Sequence, residues 1–451
     1  MYIFVSSSID IPRRYVDQKM LDWIKRKLTF KNPVYTNAVY NNAWNKHEIP
    51  KYIYGYWENN RMIGMDRGFL NRLVNYLNKR NIRFTIKNRT VRKKLEFSLN
   101  SIKLRPYQKR AVQRSLQARG GIIVQPCGAG KTVTLLALLR KLNQHTIIFV
   151  HTKFLMEQWR QYIKDFLGYD CGIIQGTTID IKPITVAMIQ TMYQRDLLPK
   201  FTHRWGCVMV DEVHHVPAES FQDIITHFPA RFRYGVSATV KRSDGLTGMI
   251  FSIMGDISYR ISSTRLRDLG YIKIPTVRIR NTDFFSSHRK FHSIISDLIN
   301  DKERNELIIQ DLINCDNRFN LVLSSRIQHL ENLVELYKQH TDDYDVIVGS
   351  VKGPERDNIV NRMRNGELHT IFATQLADEG LDIPNLDTLF LVFPTKSEGR
   401  IEQRIGRTQR IYEGKHDPII YDYDDSWVPS LNRSSMSRVY LYEQLELTIE
   451  R

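Results

Sequence analysis

The chain has 451 residues, of which 42% are apolar, and its 66 lysines and arginines exceed its 48 aspartates and glutamates by 18 charges. That length allows two or three domains with sizeable cores, and the composition fits a soluble globular protein. No run approaches 18 apolar residues, so the sequence predicts no transmembrane helix. The N-terminus does not resemble a signal peptide, and the four scattered cysteines follow no metal-ligand spacing. We therefore expect a cytoplasmic protein without a disulfide framework.

The positive charge is concentrated at the start of the chain. Residues 1–100 contain 20 lysines and arginines against 7 aspartates and glutamates, a net charge of +13. A basic block of domain size indicates a polyanionic partner, most simply nucleic acid. A membrane surface is the alternative, but no basic amphipathic helix with an obvious apolar face stands out, so we expect no membrane partner.

The same block is rich in aromatic residues. A helix-like segment at 67–77 and an alternating, strand-like segment at 83–89 predict a small basic α+β domain over residues 1–100. The aromatic residues either pack in its core, which we favour, or stack on the bases of a bound nucleic acid. They are Tyr52, Tyr54, Tyr56 and Trp57, close in sequence to Lys51, Arg61 and Arg67.

From about residue 101 onward, short β-rich runs alternate with helical stretches. This alternation predicts an α/β fold with two parallel-sheet domains, at 101–266 and 267–451, joined by a connection from 266 to about 290. The predicted strands are 122–124, 146–150, 184–187, 208–210, 234–236, 321–323, 346–348, 370–372, 388–392 and 419–421.

Residues 125–132 read Gln-Pro-Cys-Gly-Ala-Gly-Lys-Thr, between an apolar strand and a helix-like run. The backbone N–H groups of such a turn and the helix N-terminus form a cradle for phosphates, here with Gly128, Ala129 and Gly130. Lys131 is expected to reach the β- and γ-phosphates of a nucleotide, and Thr132 to bind Mg²⁺. Because Gln125 replaces the usual first glycine, the alternative is a glycine-containing turn with an unrelated lysine.

A second candidate segment, Asp211-Glu212-Val213-His214, follows a buried apolar run. Ligands bind at the carboxyl ends of parallel strands, so Asp211 is a candidate Mg²⁺ ligand and Glu212 a candidate base for the attacking water. An acidic surface turn is the alternative. Hydroxyl groups of Ser237 and Thr239, at the end of another predicted strand, are candidates to bond His214 and couple the site to a neighbouring surface.

The third segment, residues 403–410, contains three arginines. Arg407 and Arg410 are predicted to share a helix face and to act as arginine fingers on a transferring γ-phosphate. They would come from the second domain, so that ATP would lie in the cleft between the domains and its hydrolysis would open and close them. A solvated basic helix face is the alternative.

Taken in order, these segments resemble the motif set of the DExH-type helicases of superfamily 2, over residues 104 to about 425. The resemblance implies two tandem RecA-like motor domains that bind ATP and Mg²⁺. It adds Arg105, Gln108, Gly380 and Asp382 to the ATP site and Gln403 to the catalytic residues. The nucleic-acid contacts that it implies are Thr152, Thr191, Arg326 and Thr374.

Within that superfamily, residues 126–132 and 237–245 resemble the branch that holds XPB and UvsW, although Arg242-Ser243-Asp244 stands where XPB-like proteins have Arg-Glu-Asp. A compact basic domain before two motor domains is similar to UvsW-type proteins. This resemblance implies a monomeric, phage-encoded enzyme of the host cytoplasm that migrates branched DNA, forks and Holliday junctions, in replication, recombination and repair. An XPB-like duplex translocase in transcription, an RNA helicase, a restriction-enzyme motor subunit and a non-catalytic scaffold are the alternatives.

Overall fold

The computed structural model describes residues 1–40, 42–126, 128–194, 201–214, 218–240, 244–315, 317–351, 353–374, 381, 383–395 and 398–451. Contacts between Cα atoms divide the chain into two compact units, Met1–Gln125 with Gly130–Ile261, and Pro126–Ala129 with Ser262–Arg451. The fold is mixed α/β with sheets of mainly parallel strands, as the sequence predicts. No helix in the described part of the chain is both long enough and apolar enough to cross a membrane.

The basic N-terminal block has a sheet of its own. Five strands lie in the order β5-β6-β2-β1-β7, and β3 and β4 pair separately. Alternate residues of the central strands, such as Ile3, Ile9 and Ile63, are fully buried, and Leu73 covers them from a helix. The elements are β1 Tyr2–Val5, β2 Ser8–Pro12, β3 Thr29–Lys31, β4 Tyr52–Tyr54, β5 Tyr56–Glu58, β6 Met62–Asp66, β7 Thr85–Asn88, α1 Gln18–Leu28, α2 Pro33–Tyr40 and α3 Leu70–Lys79.

This block packs tightly on the rest of the first unit. The N–H of Val91 donates to the carbonyl of Pro229 (2.7 Å), and the N–H of Arg231 donates to the carbonyl of Val91 (2.8 Å). The guanidinium of Arg67 also bonds the carbonyl of Ala230. The segment that ends the block is therefore part of the structure that carries the first parallel sheet, and the division of the chain at residue 100 stays a prediction.

That first parallel sheet has eight strands in the order β11-β10-β12-β9-β13-β14-β8-β15, all paired in parallel except β10 with β11. Its strands are β8 Gly121–Val124, β9 Thr146–Val150, β10 Gly172–Gln175, β11 Thr178–Asp180, β12 Ile184–Met188, β13 Cys207–Val210, β14 Phe232–Ser237 and β15 Ile257–Arg260. Its helices are α4 Pro106–Ala118, α5 Lys131–Leu142, α6 Lys153–Leu167, α7 Ile189–Gln194, α8 Ala218–Ile225 and α9 Thr247–Met254.

Three neighbouring strands of this sheet position the candidate site. β14 lies between β8 and β13, with Ser237 opposite Val124 and Gly235 opposite Val210. Because the three strands are parallel and in register, their carboxyl ends meet at one edge. The phosphate-binding turn, the Asp211 segment and Ser237 therefore emerge side by side, although they are far apart in sequence.

The second unit contains a seven-stranded, wholly parallel sheet in the order β18-β19-β17-β20-β21-β16-β22. Its strands are β16 Thr276–Asn281, β17 Asn320–Ser324, β18 Tyr344–Ile347, β19 Thr370–Thr374, β20 Thr388–Leu391, β21 Ile419–Asp424 and β22 Thr448–Glu450. Its helices are α10 Ser263–Asp268, α11 Phe291–Asn300, α12 Lys302–Ile313, α13 Ile327–Tyr337, α14 Gly353–Asn365, α15 Glu398–Thr408 and α16 Pro429–Gln444.

The prediction of a connection from 266 to about 290 is wrong. β16 pairs with β21 along all six of its residues and with β22 on its other side. Only Val277 and Ile279 of this strand are buried. The arginines that alternate with them are compensated, Arg278 by Glu450 (3.1 Å) and Arg280 by Asp311 (2.9 Å). These compensated arginines mask the apolar signal by which the other strands are recognised.

Candidate ATPase site

The phosphate-binding turn has the backbone that its glycines predict. Gly128 and Gly130 have φ angles of +75° and +72°, in the left-handed region that glycine adopts most readily. Gly130 is the N-cap of α5, which begins at Lys131. The N-terminus of α5 therefore carries a positive partial charge and N–H groups available to an anion, which suits phosphate.

Two residues of the predicted ATP site, Arg105 and Gln108, lie at the start of α4. In a capping box at the start of α4, the N–H of Arg105 donates to Gln108 Oε1 (3.0 Å). The other end of the same amide, Gln108 Nε2, donates to the carbonyl of Gly130 (3.4 Å). Gln108 is buried. The buried amide thus joins α4 to the phosphate-binding turn within the first unit.

Lys131 and Glu212 form an ion pair at the sheet edge. Their side chains are only 12% and 9% exposed, so neither charge is well solvated. Glu212 has a φ angle of +45°, which non-glycine residues adopt rarely and mainly at constrained sites. The amine assigned to phosphate binding is therefore held by the carboxylate assigned to water activation.

Asp211 is held rigidly beside this pair. Its Oδ2 accepts from the indole N–H of Trp159 (2.8 Å), and its Oδ1 accepts from the backbone N–H of Glu212 (2.9 Å). Burial, and then the neighbouring Glu212 charge, raise the pKa of Asp211 to about 6. The sequence analysis assigns Trp159 no role. A buried tryptophan needs an acceptor for its N–H, which is the one sequence feature that points to a role for Trp159. The sequence does not identify the acceptor, because Asp211 lies 52 residues away.

Of the two hydroxyls predicted to bond His214, that of Ser237 does so, and Thr239 contributes its backbone carbonyl to the same cluster. His214 Nδ1 and Ser237 Oγ share a hydrogen bond, and the same hydroxyl bonds the carbonyl of Thr239. Glu212 Oε2 lies 3.5 Å from both His214 Nδ1 and Ser237 Oγ. A chain of polar contacts therefore connects the ion pair to the end of β14.

The donor set of this site fits Mg²⁺ bound together with a nucleotide. No cluster of three or more histidine, cysteine or acidic side chains that would cage a metal occurs among the described residues. Mg²⁺ commonly takes one or two carboxylates, substrate phosphates and several waters. Asp211 supplies a carboxylate, and Thr132, one residue into α5, supplies a hydroxyl beside the phosphate-binding turn.

In the second unit, Gln403 and Arg407 lie on α15 and are partly buried. The prediction that Arg407 and Arg410 share a helix face is wrong, because α15 ends at Thr408. The Thr408 hydroxyl donates to the carbonyl of Ile405 (2.8 Å). One residue beyond the helix, the carbonyl of Gln409 accepts from the N–H of Lys273 (2.9 Å). The chain after Thr408 therefore bonds the segment at Lys273 instead of continuing the helix.

The predicted nucleic-acid contacts differ in their surroundings. In the first unit, Thr152 caps α6 by accepting from the N–H of Leu155 (3.2 Å), and buried Thr191 accepts from the N–H of Gly176 (3.0 Å). In the second unit, Arg326 is exposed at the start of α13. The remaining residues of the predicted sites are Thr374, whose buried hydroxyl has no hydrogen-bond partner among the described residues, and Gly380 and Asp382, which lie outside the described residues.

Comparisons with known proteins agree with this geometry. Residues 101–242 match the family described as "Type III restriction enzyme, res subunit", and residues 303–412 match "Helicase conserved C-terminal domain". A "DNA 3'-5' translocase XPB2" of Sulfurisphaera tokodaii is 28% identical over 69% of this chain and 79% of its own length. A "Probable helicase D10" of Escherichia phage T5 is 29% identical over 65% of each chain.

A solved structure shows the same fold at low identity. It is the "ATP-dependent Type ISP restriction-modification enzyme LlaBIII bound to DNA", with 15% identity, a TM-score of 0.55, and coverage of 71% of this chain and 28% of that one. The two family matches, in chain order, fall on the two parallel sheets. The chain therefore belongs to the superfamily 2 helicases and is an enzyme of the nucleic-acid-dependent ATPase and helicase class.

Proposed function

We propose that this chain is an ATP-dependent DNA helicase or translocase that remodels branched DNA, such as forks and Holliday junctions, in replication, recombination and repair. The observation that carries the proposal is the Lys131–Glu212 ion pair beside Asp211, at the end of a glycine-rich turn. Lysine, carboxylates and hydroxyl at one sheet edge are the groups that phosphoryl-transfer enzymes use to position a nucleotide.

The ion pair suggests how ATP binding prepares the site. When ATP binds, Lys131 exchanges Glu212 for the β- and γ-phosphates, because both partners are anionic and the lysine follows the phosphate-binding turn directly. This exchange frees the Glu212 carboxylate to orient a water molecule and accept its proton. Mg²⁺, held by Asp211 and Thr132, would neutralise phosphate charge.

The remaining catalytic roles follow the motif resemblance. Gln108 reads the adenine, with Arg105, Gly380 and Asp382 also in the ATP site. Gln403, Arg407 and Arg410 act on the γ-phosphate, where an arginine finger stabilises the charge of the transition state.

The same proposal assigns the grip on DNA to both units. Thr152, Thr191, Arg326 and Thr374 contact phosphates, which position a protein on nucleic acid without reading sequence. We divide the monomer into a DNA-binding domain at 1–100 and motor domains at 101–266 and 267–451. Because the basic block bonds the first parallel sheet through Val91, DNA bound by that block moves with the sheet.

A translocase that moves along duplex DNA is the second candidate function, since the relative from Sulfurisphaera tokodaii is named a DNA 3'-5' translocase. Such an enzyme would hydrolyse ATP on DNA without separating strands. We place either activity in the cytoplasm, in an infected host if the gene belongs to a phage like the one that encodes the T5 relative.

The test is a panel of matched labelled substrates: a replication fork, a Holliday junction, a blunt duplex and an RNA duplex. ATP-dependent conversion of the fork and the junction, without action on RNA, is expected. DNA-stimulated hydrolysis without strand separation would favour the translocase, and activity on RNA duplexes alone would contradict a DNA enzyme.

A further inference from the structure

Residues 32–51 form a segment of the N-terminal block that is closed at its base. β3 and β4 pair antiparallel, with Lys31 opposite Tyr52. The side chain of Asn32 fixes the entry and the exit: its Nδ2 donates to the carbonyl of Pro50 (2.8 Å), and its Oδ1 accepts from the N–H of Val34 (3.0 Å). The N–H of Asn32 also donates to the carbonyl of Lys51 (3.1 Å). The base of the segment is thus an ordered part of the fold.

The segment presents two aromatic rings to solvent. Tyr40, at the end of α2, is 84% exposed, and Trp44, four residues later, is 86% exposed. Within α2 only Ala38 is buried. The N–H of Ala43 donates to the carbonyl of Ala38 (2.8 Å) and the N–H of Lys46 to that of Ala43 (3.3 Å), so the turn that carries Trp44 has defined hydrogen bonds.

Other aromatic residues of the block pack on protein. The ring centroids of Tyr54 and Tyr56 lie 5.5 Å apart, edge to face. Trp57 covers Gly64 so closely that a Cβ on that glycine would lie 2.0 Å from the indole Cε2. The prediction of core packing is wrong for Tyr54 and Trp57, which are 49% and 46% exposed, whereas Tyr56 packs partly buried against the core of the block. Tyr40 and Trp44 expose still larger apolar surfaces.

The charge of the segment in sequence suits a polyanion. Residues 32–51 contain two lysines, at 46 and 51, and one acidic residue, Glu48, and Lys31 directly precedes them. Cationic side chains beside exposed aromatic rings are the combination by which proteins hold single strands, with phosphates on the cations and bases on the rings. A protein-docking surface is expected to be depleted in lysine.

We propose that Tyr40 and Trp44, between β3 and β4, form a stacking site for the unpaired bases of a DNA junction. The site rests on the proposed function, and it specifies which DNA feature the basic block recognises. Stacking does not depend on base identity, because each base has a π face, which suits an enzyme that moves along DNA.

The test compares Trp44→Ala, Tyr40→Ala and Trp44→Phe with Trp427→Ala. Trp427, in the second unit, is 69% exposed and serves as the matched control. Fluorescence anisotropy measures the affinity of each full-length variant for a fork with single-stranded arms and for a blunt duplex of the same length. We expect each alanine variant at Tyr40 or Trp44 to lose about tenfold in fork affinity, from a stacking contribution of about 1–3 kcal/mol per base. Blunt-duplex affinity is expected to stay unchanged, and Trp44→Phe and Trp427→Ala to behave as wild type.

Three results would overturn the stacking site while the proposed function survives, provided that the wild type shows DNA-stimulated ATPase activity. The first is unchanged fork affinity in the Tyr40 and Trp44 variants, and the second is an equal loss of affinity for fork and duplex. The third is a defect found only in binding to anionic lipid vesicles, or only in self-association measured by sedimentation velocity. A wild-type protein without DNA-stimulated ATPase activity would instead contradict the proposed function itself.

Discussion

Replacing Lys131 by methionine tests the ion pair at the candidate ATPase site independently of catalysis. Methionine retains the apolar stem but removes the charge, so Glu212 keeps its position while it loses its counter-charge. The Glu212 side chain is 9% exposed and lies next to Asp211, a second carboxylate. Water cannot compensate the lost charge well, and the neighbouring carboxylate adds repulsion.

The expected effect is a loss of about 3 kcal/mol in the free energy of unfolding of the first unit. Breaking a buried ion pair by removing one partner costs about 3–5 kcal/mol, and the 12% exposure of Lys131 argues for the lower end. Adding Glu212→Gln to the same chain removes the charge that Lys131 compensates in the wild type. The double variant is therefore expected to recover most of that loss, although neither variant hydrolyses ATP.

Urea denaturation without nucleotide, followed by tryptophan fluorescence and circular dichroism, measures these differences. Each of the two single variants and the double variant is compared with wild type at pH 7.5, a pH above the pKa of about 6 expected for Asp211. A Lys131→Met protein within about 0.5 kcal/mol of wild type, a difference typical of surface substitutions, would refute the buried pair. A double variant less stable than Lys131→Met would refute the charge argument.

Three further predictions follow from the structure. Arg407→Ala is expected to retain the affinity for a fluorescent ATP analogue but to lower kcat by about 10³-fold, as for an arginine finger; a loss confined to ATP affinity would contradict that role. Burial raises the pKa of Asp66 from 3.8 to about 7, so the folded state favours the protonated acid. The free energy of unfolding should therefore fall by about 4 kcal/mol as the pH rises from about 4 through about 7, measured by urea titrations. Asp66→Asn should flatten this dependence, and an unchanged slope would exclude Asp66 as its source. Gly68→Ala places a Cβ 2.4 Å from the backbone N of Gly255 and should lower the free energy of unfolding by about 2–3 kcal/mol, whereas Gly349→Ala, with open space around it, should match wild type in the same assay.

Sequence predicts much of the site because its parts are local. A buried strand, a glycine-rich turn and a helix follow one another at residues 121–142, and the backbone angles of Gly128 and Gly130 are the ones that glycine favours. The hydrogen bond between His214 and Ser237 is also predictable, because His214 follows β13 and Ser237 ends the neighbouring parallel strand β14.

The features that sequence misses depend on distant partners. β16 is hidden because its arginines are neutralised by Glu450 and Asp311, which lie far along the chain. The end of α15 before Arg410 depends on a hydrogen bond from Lys273. The exposure of Trp44 is not encoded in a local pattern either. Trp44 and Trp57 both occur in basic, tyrosine-rich sequence, yet only Trp57 packs on a glycine, Gly64.

The most direct test of the ATPase assignment is the rate of ATP hydrolysis by wild type and Glu212→Gln, with and without fork DNA, together with ATP affinity measured by calorimetry. We predict that fork DNA stimulates the wild-type rate, and that Glu212→Gln binds ATP at least as tightly but hydrolyses it at least about 100-fold more slowly, the loss expected for a general base. Equal hydrolysis by the two proteins would contradict the assignment of this sheet edge as the site of catalysis.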